Sequence, residues 1–398
     1  MNEMSSFPRS TRVSQMRPSL TLAVVQAALR LRAAGVEIVD LGAGEPDFPT
    51  PDHIKQAAQA ALRENFTRYT PASGIKELKE AIVERLAEDY GIDYSPAQVM
   101  ATAGGKQAIF NAIVALINPG DEVLIPSPYW VTFPEIVAFA GGQSVFIDTE
   151  PTDFQLTVDA LEAHLTPRAK LLILNSPCNP TGRAIPPERF RQLVEKAVEH
   201  GLYVISDECY REFVYPPMRP FCAGQLSPEL RSRVLIVGTL SKTYAMTGWR
   251  LGYALGPEPW ITEMIKVQSH STSNPNSITQ KAAIAALRGP QEPLMRMLEE
   301  YERRRDFLIP ALNEIPGVSC TWPEGAFYAF PNIRGLLERS SLNSSVEVQH
   351  RLLEEYHVAV TAGAAFGSDG HLRISYANSL DALEKGVERL RAFVERLC

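Results

Sequence analysis

Apolar residues recur in two rhythms along this 398-residue chain, and the points where one gives way to the other lay out its elements. Short runs rich in Val, Ile and Leu predict strands over 99–102, 122–125, 144–147, 171–174, 203–206, 234–237 and 252–255. Helical spacing fills the intervals, as over 106–117. This alternation predicts an α/β fold, with a large domain over 51–290 built on a mainly parallel, seven-stranded sheet flanked by helices. Upstream, an irregular arm to about Arg17 leads into a helix over 19–34, with Leu22, Val25, Leu29 and Ala33 as its apolar positions. Downstream, a long helix over 290–312 carries Arg303, Arg304 and Arg305, a run that reads as a solvated face. Strands over 325–330, 358–361 and 371–376 and two helices then predict a smaller α+β domain over 291–398. The arm and helix of residues 1–50 are expected to pack against it.

Composition narrows the function classes. An apolar content of 45% with 21% charged residues is that of an ordinary globular protein, and the formal charge of -7 is spread without an acidic or basic block. That distribution argues against nucleic acid or a membrane surface as the principal partner. No apolar run approaches the ~18 residues of a bilayer span, and the polar N-terminus has no signal-peptide core, so the cytoplasm is the expected compartment. Five cysteines (Cys178, Cys209, Cys222, Cys320, Cys398) form no CxxC pair, and the seven histidines show no ligand spacing. Reduced thiols and no metal are expected, with Cys178 and Cys209 as small packing residues.

The most telling run is Thr239-Leu240-Ser241-Lys242, with Arg250 eight positions beyond the lysine. An amine among hydroxyls and a guanidinium suits a cofactor with an aldehyde and a phosphate, namely pyridoxal phosphate. Lys242 can condense with the aldehyde, while Thr239, Ser241 and Arg250 offer donors to phosphate oxygens. Such a cofactor also needs an acid at its pyridine nitrogen and a donor to its ring oxygen. Asp207, at the end of the strand 203–206, is the candidate acid, and Tyr210 and Asn179 are candidate donors. Each has a plain alternative: a helix N-cap, a core tyrosine, a turn. Gly104 and Gly105 precede a helix whose N-terminus can receive phosphate, and Lys106, a cation in that first turn, is better placed beside an anion. Trp130 can stack on a planar ring or simply fill the core. Arg373 alternates with Leu372 and Ile374 and can clamp a carboxylate or lie exposed on a strand.

Seven motifs occur in one order. They are Leu41 to Phe48, Thr102 to Gln107, Ser127-Pro128-Tyr129-Trp130, Asn179-Pro180-Thr181-Gly182, Ser206-Asp207-Glu208, Ser241-Lys242 and Arg373-Ile374-Ser375-Tyr376. From about Arg12 to the C-terminus the chain resembles the class I aminotransferases of pyridoxal-phosphate fold type I, in particular their bacterial aspartate and prephenate branch. The resemblance implies a homodimer with shared sites, Lys242 as the cofactor lysine, and Tyr69 reaching a neighbouring subunit's cofactor phosphate. It also implies Arg373 with Gly44 on the substrate α-carboxylate.

Substrate expectations follow from the same likeness. Some relatives hold the distal carboxylate with an arginine from the loop matching 268–277, which here has none. Lys106 is then the natural substitute, helped by Thr21. Transamination between L-aspartate and 2-oxoglutarate is expected, with prephenate as an alternative acceptor. Many relatives carry lysine where this chain has Arg17, which keeps the charge but not the shape. A lyase on the same fold is a further alternative, disfavoured by Gly104-Gly105-Lys106-Gln107.

Overall fold

A computed structural model describes residues 8–17 and 20–397, with the side chains of 20–25 outside the description. Its largest sheet has seven strands. From edge to edge they are Val99–Thr102, Gly252–Leu255, Val234–Thr239, Tyr203–Asp207, Ala169–Asn175, Glu122–Ser127 and Gln143–Asp148. Gly252–Leu255 runs antiparallel to both neighbours and the remaining pairings are parallel. All seven predicted strands are present, extended by a residue or two at several ends.

Burial on two faces explains why these strands read as unbroken apolar runs. Leu172 and Leu174 pack on one face with Leu193 and Val194, whereas Leu171 and Ile173 pack on the other with Ile109 and Ile113. A separate core gathers Leu308, Leu312, Phe327, Ile374 and Phe393, and the early chain joins it through Val39 and Leu41. Val39–Asp40 pairs in parallel with Val358–Ala359, and Ala28 packs on Leu353 and Ala359. Tyr210, Phe213 and Tyr215, just past the strand Tyr203–Asp207, also enter this second core. The carboxyl ends of the central strands therefore open toward it, which is where ligands bind in open α/β sheets.

Several expectations need correction. The arm contains a short helix, Thr11–Ser14, and the helix Leu20–Ala33 buries Ala28 while leaving Leu29 54% exposed. Leu22 and Val25 lie outside the described side chains. The segment 318–397 holds three helices, because Arg334–Arg339 is too short to show a period. The arginine run of the helix Glu292–Asn313 is not a solvated face: only Arg303 is exposed. Arg304 is buried between Asp47 (2.8 Å) and Glu300 (2.9 Å). Arg305 is buried over the ring of Tyr215 and paired with Asp306. Helical rotation turns these two toward the second core, where Asp47 meets Arg304, while the partners of Arg305 come from its own helix.

Candidate active site

One cavity of about 370 Å³ lies between the two cores. From the sheet side Asn175, Asp207 and Thr239 reach it at strand ends, and from the C-terminal part of the chain come Tyr328, Phe366 and Arg373. Gly44, Gly105, Lys106, Trp130, Asn179, Tyr210, Ser241, Lys242 and Arg250 complete the predicted residues that line it.

Lys242 sits in the short helix Leu240–Thr243, whose N-cap Thr239 accepts a hydrogen bond from the Ser241 amide at 3.2 Å. Its Nζ donates to the Gly44 carbonyl. Burial disfavours the ammonium form and brings this lysine down to about 8, with Cys209 and Glu45 opposing the shift. Asp207, at the end of its strand, accepts from the Cys209 amide at 3.1 Å and has no salt-bridge partner among the described residues. Burial pushes its carboxyl up to about 6. A buried carboxylate with no cation beside it is a costly arrangement unless a ligand supplies one.

The helix Gly105–Leu116 begins at Gly104, whose φ of +85° suits glycine. A Cβ there would stand 2.6 Å from the Arg250 guanidinium, so the glycine gives this arginine its room. Arg250 itself holds a left-handed backbone (φ 56°) and donates to the Thr247 carbonyl at 2.9 Å. Strain of this kind clusters at functional sites. Lys106 Nζ lies 4.9 Å from the Trp130 ring centroid, and burial followed by the nearby Arg250 charge lowers it from its ordinary value.

Arg373 is buried. It donates to Asn179 Oδ1 (3.0 Å) and to the Gly42 carbonyl (2.7 Å), while its Nε has no partner. This overturns the reading of an exposed strand arginine. Tyr210 meets the hydroxyl of Tyr328 at 2.8 Å. Cys178, half-buried and with its thiol pushed up to about 11 by burial, suits the packing role expected of it.

Three predicted residues do not line the cavity: Tyr69, Arg17 and Gly104, which caps the helix one residue before Gly105. Tyr69 is 91% exposed. Arg17 is captured instead by Glu135, whose carboxylate accepts its backbone amide at 2.6 Å and lies 3.7 Å from its Nε. Thr21 lies outside the described side chains. Asn175, Tyr328 and Phe366 line the cavity without having been singled out. Asn175 had a usable signal, a polar residue closing an apolar strand, and it anchors the Asn179 amide at 2.9 Å.

Comparison with known proteins decides the family. The model for aminotransferase class I and II matches residues 36–390. The chain belongs to that family. Among its relatives is an aspartate aminotransferase of Geobacillus stearothermophilus, 45% identical, with 96% of this chain and 98% of the relative aligned. An aspartate/prephenate aminotransferase of Cereibacter sphaeroides is 46% identical over the same shares of the two chains. The crystal structure of the aspartate aminotransferase from Rhizobium meliloti superposes with a TM-score of 0.94 at 41% identity, covering 99% of this chain and 100% of that one. Pyridoxal phosphate is the cofactor of such aminotransferases, and the fold is their fold type I. Among the described residues no helix is long and apolar enough to cross a membrane.

Proposed function

We propose that this aminotransferase moves the amino group of L-aspartate to 2-oxoglutarate, yielding oxaloacetate and L-glutamate, as a cytoplasmic homodimer. The observation that carries the reading is a single cavity holding a partly neutral lysine, an uncompensated buried carboxylate, a guanidinium with a free Nε and a second lysine. These groups fit pyridoxal phosphate and a dicarboxylic amino acid. When bound, the cofactor supplies an aldehyde for amines and a pyridine ring that takes up electrons from the substrate's α-carbon.

Each residue then has a task. Asp207 holds a proton at the pyridine nitrogen, and Tyr210 and the Asn179 amide donate to the ring oxygen. Trp130 packs on the ring. The amides of Gly104 and Gly105, the hydroxyls of Thr239 and Ser241 and the Arg250 guanidinium hold the phosphate. Lys242 would meet the cofactor's aldehyde and, with substrate bound, would move the proton at the substrate's α-carbon, a role suited to an amine near 8. Arg373 and Gly44 orient the α-carboxylate, and Lys106 takes the distal one. Tyr69, exposed and away from this cavity, serves the cofactor phosphate of a partner subunit. Arg17, held by Glu135, has no place in this scheme. The two cores support a division into a domain over 51–290 and a smaller one over 291–398 joined by residues 1–50.

Lys106→Ala tests the distal contact. A hydrogen bond to a charged group contributes about 1.5–3 kcal/mol, so kcat/KM for aspartate falls roughly 10- to 100-fold. An unchanged value refutes the assignment. Prephenate as a second acceptor is favoured by relatives named for both substrates, and is tested by offering it to the enzyme after reaction with aspartate.

A further inference from the structure

Tyr328 is fully buried in the two-residue strand Tyr328–Ala329, yet its side chain lines the cavity. Three contacts converge on it. Its hydroxyl lies 2.8 Å from that of Tyr210, and the two rings meet edge to face at 5.6 Å. The Arg373 guanidinium carbon stands 4.6 Å from its ring centroid. A Cβ on Gly44, whose carbonyl holds Lys242, would come within 2.9 Å of its hydroxyl. One phenol thus touches the groups assigned above to the cofactor's ring oxygen and to the substrate's α-carboxylate.

We propose that Tyr328 is a positioning residue that joins these two ends of the site, its hydroxyl fixing the direction of the Tyr210 proton and its ring face seating Arg373. The inference rests on the roles proposed above for Tyr210 and Arg373. Its first half follows from hydrogen-bond accounting. Neither phenol has another hydrogen-bond partner among the described residues, and either can donate within the pair. When Tyr210 gives its proton to the cofactor's ring oxygen, the pair survives only with Tyr328 donating to Tyr210. That donation makes the Tyr210 hydroxyl a stronger donor, because consecutive hydrogen bonds polarise one another. Burial pushes both phenols up, so each keeps its proton at neutral pH. The second half follows from the guanidinium's position over the aromatic face, where the ring attracts the cation without using any N–H that a carboxylate needs.

Two variants of the cofactor-loaded enzyme separate the halves. In Tyr328→Phe the ring stays and the hydroxyl goes. Tyr210 becomes a weaker donor, the cofactor's ring oxygen holds protons more tightly, and the midpoint of the pH-dependent visible absorbance rises by about half a pH unit. Affinity for succinate, a dicarboxylate with no amino group to react, stays within about twofold. In Tyr328→Leu the ring is lost as well, and the succinate dissociation constant rises at least about fivefold, near the ~1 kcal/mol of a partly desolvated cation–π contact. A purely structural tyrosine would lower the melting temperature of both variants while leaving the Phe midpoint in place, and that result overturns the proposal. So does a Leu variant that binds succinate as tightly as the native enzyme. Native enzyme that ignores succinate contradicts the dicarboxylate reading instead, and the absorbance midpoint of Tyr328→Phe then decides this one.

Discussion

Removing the charge of Asp207 should stabilise the cofactor-free protein and weaken the loaded one. The carboxyl, ordinarily at 3.8, is raised to about 6 by burial and has only Cys209, through its thiol and its amide, to offset it. A carboxyl held higher in the folded state than in the unfolded one binds its proton more tightly when folded. Stability is therefore lost as pH climbs from the unfolded value through the folded one, here between about 4 and 6. The whole gap corresponds to about 3 kcal/mol at neutral pH, of which roughly 2 kcal/mol accrues between pH 4.5 and 7.5. Asp207→Asn is nearly isosteric, keeps an oxygen for the Cys209 amide and carries no such penalty. With an unfolding entropy of about 2 cal/mol/K per residue, 2 kcal/mol moves the Tm of a chain this long by roughly 2–3 °C. The assay is calorimetry of both proteins, with and without pyridoxal phosphate, across that pH range. In the cofactor-free state the Tm difference in favour of the variant widens as pH rises. In the loaded state it reverses, because native Asp207 then faces a cation. A difference in the cofactor-free proteins that does not change with pH refutes the reasoning.

Other consequences are as direct. Burial brings Lys242 to about 8, so the rate at which cofactor-free protein takes up pyridoxal phosphate rises with pH around that value, as followed by stopped-flow absorbance; a midpoint above about 10 contradicts it. Gly104→Ala forces a side chain into a backbone at φ +85° and against the Arg250 guanidinium. Strain of about 1–3 kcal/mol follows, and the dissociation constant for the cofactor, measured by equilibrium dialysis, rises about tenfold or more. Equal affinity would show that Arg250 does not depend on the glycine.

How far the molecule could be read in advance depended on how local each signal was. The strand Ala169–Asn175 was legible because Leu171 to Leu174 are buried on both faces, which leaves an apolar run with no other explanation. Asp207 and Lys242 were legible because they close or follow such strands beside residues of matching chemistry. Tyr328 was not: a two-residue strand has no period, and a tyrosine flanked by Phe327 and Ala329 reads as core. Its significance depends on Tyr210 and Arg373, far apart in the chain. Arg304 misled for a related reason. Three consecutive arginines on a helix look solvated, and only the fold brings Asp47 to meet one of them. Arg17 shows the converse, a charge whose partner Glu135 lies more than a hundred residues away.

The central claim is that this cavity takes the amino group from aspartate and keeps it for a keto acid. Titrating the pyridoxal-phosphate-loaded enzyme with L-aspartate, in the absence of any keto acid, measures that directly. The visible absorbance of the cofactor should be lost as about one equivalent of oxaloacetate appears per site, and return when 2-oxoglutarate is added. Absorbance that persists through the titration, with no oxaloacetate formed, contradicts the account.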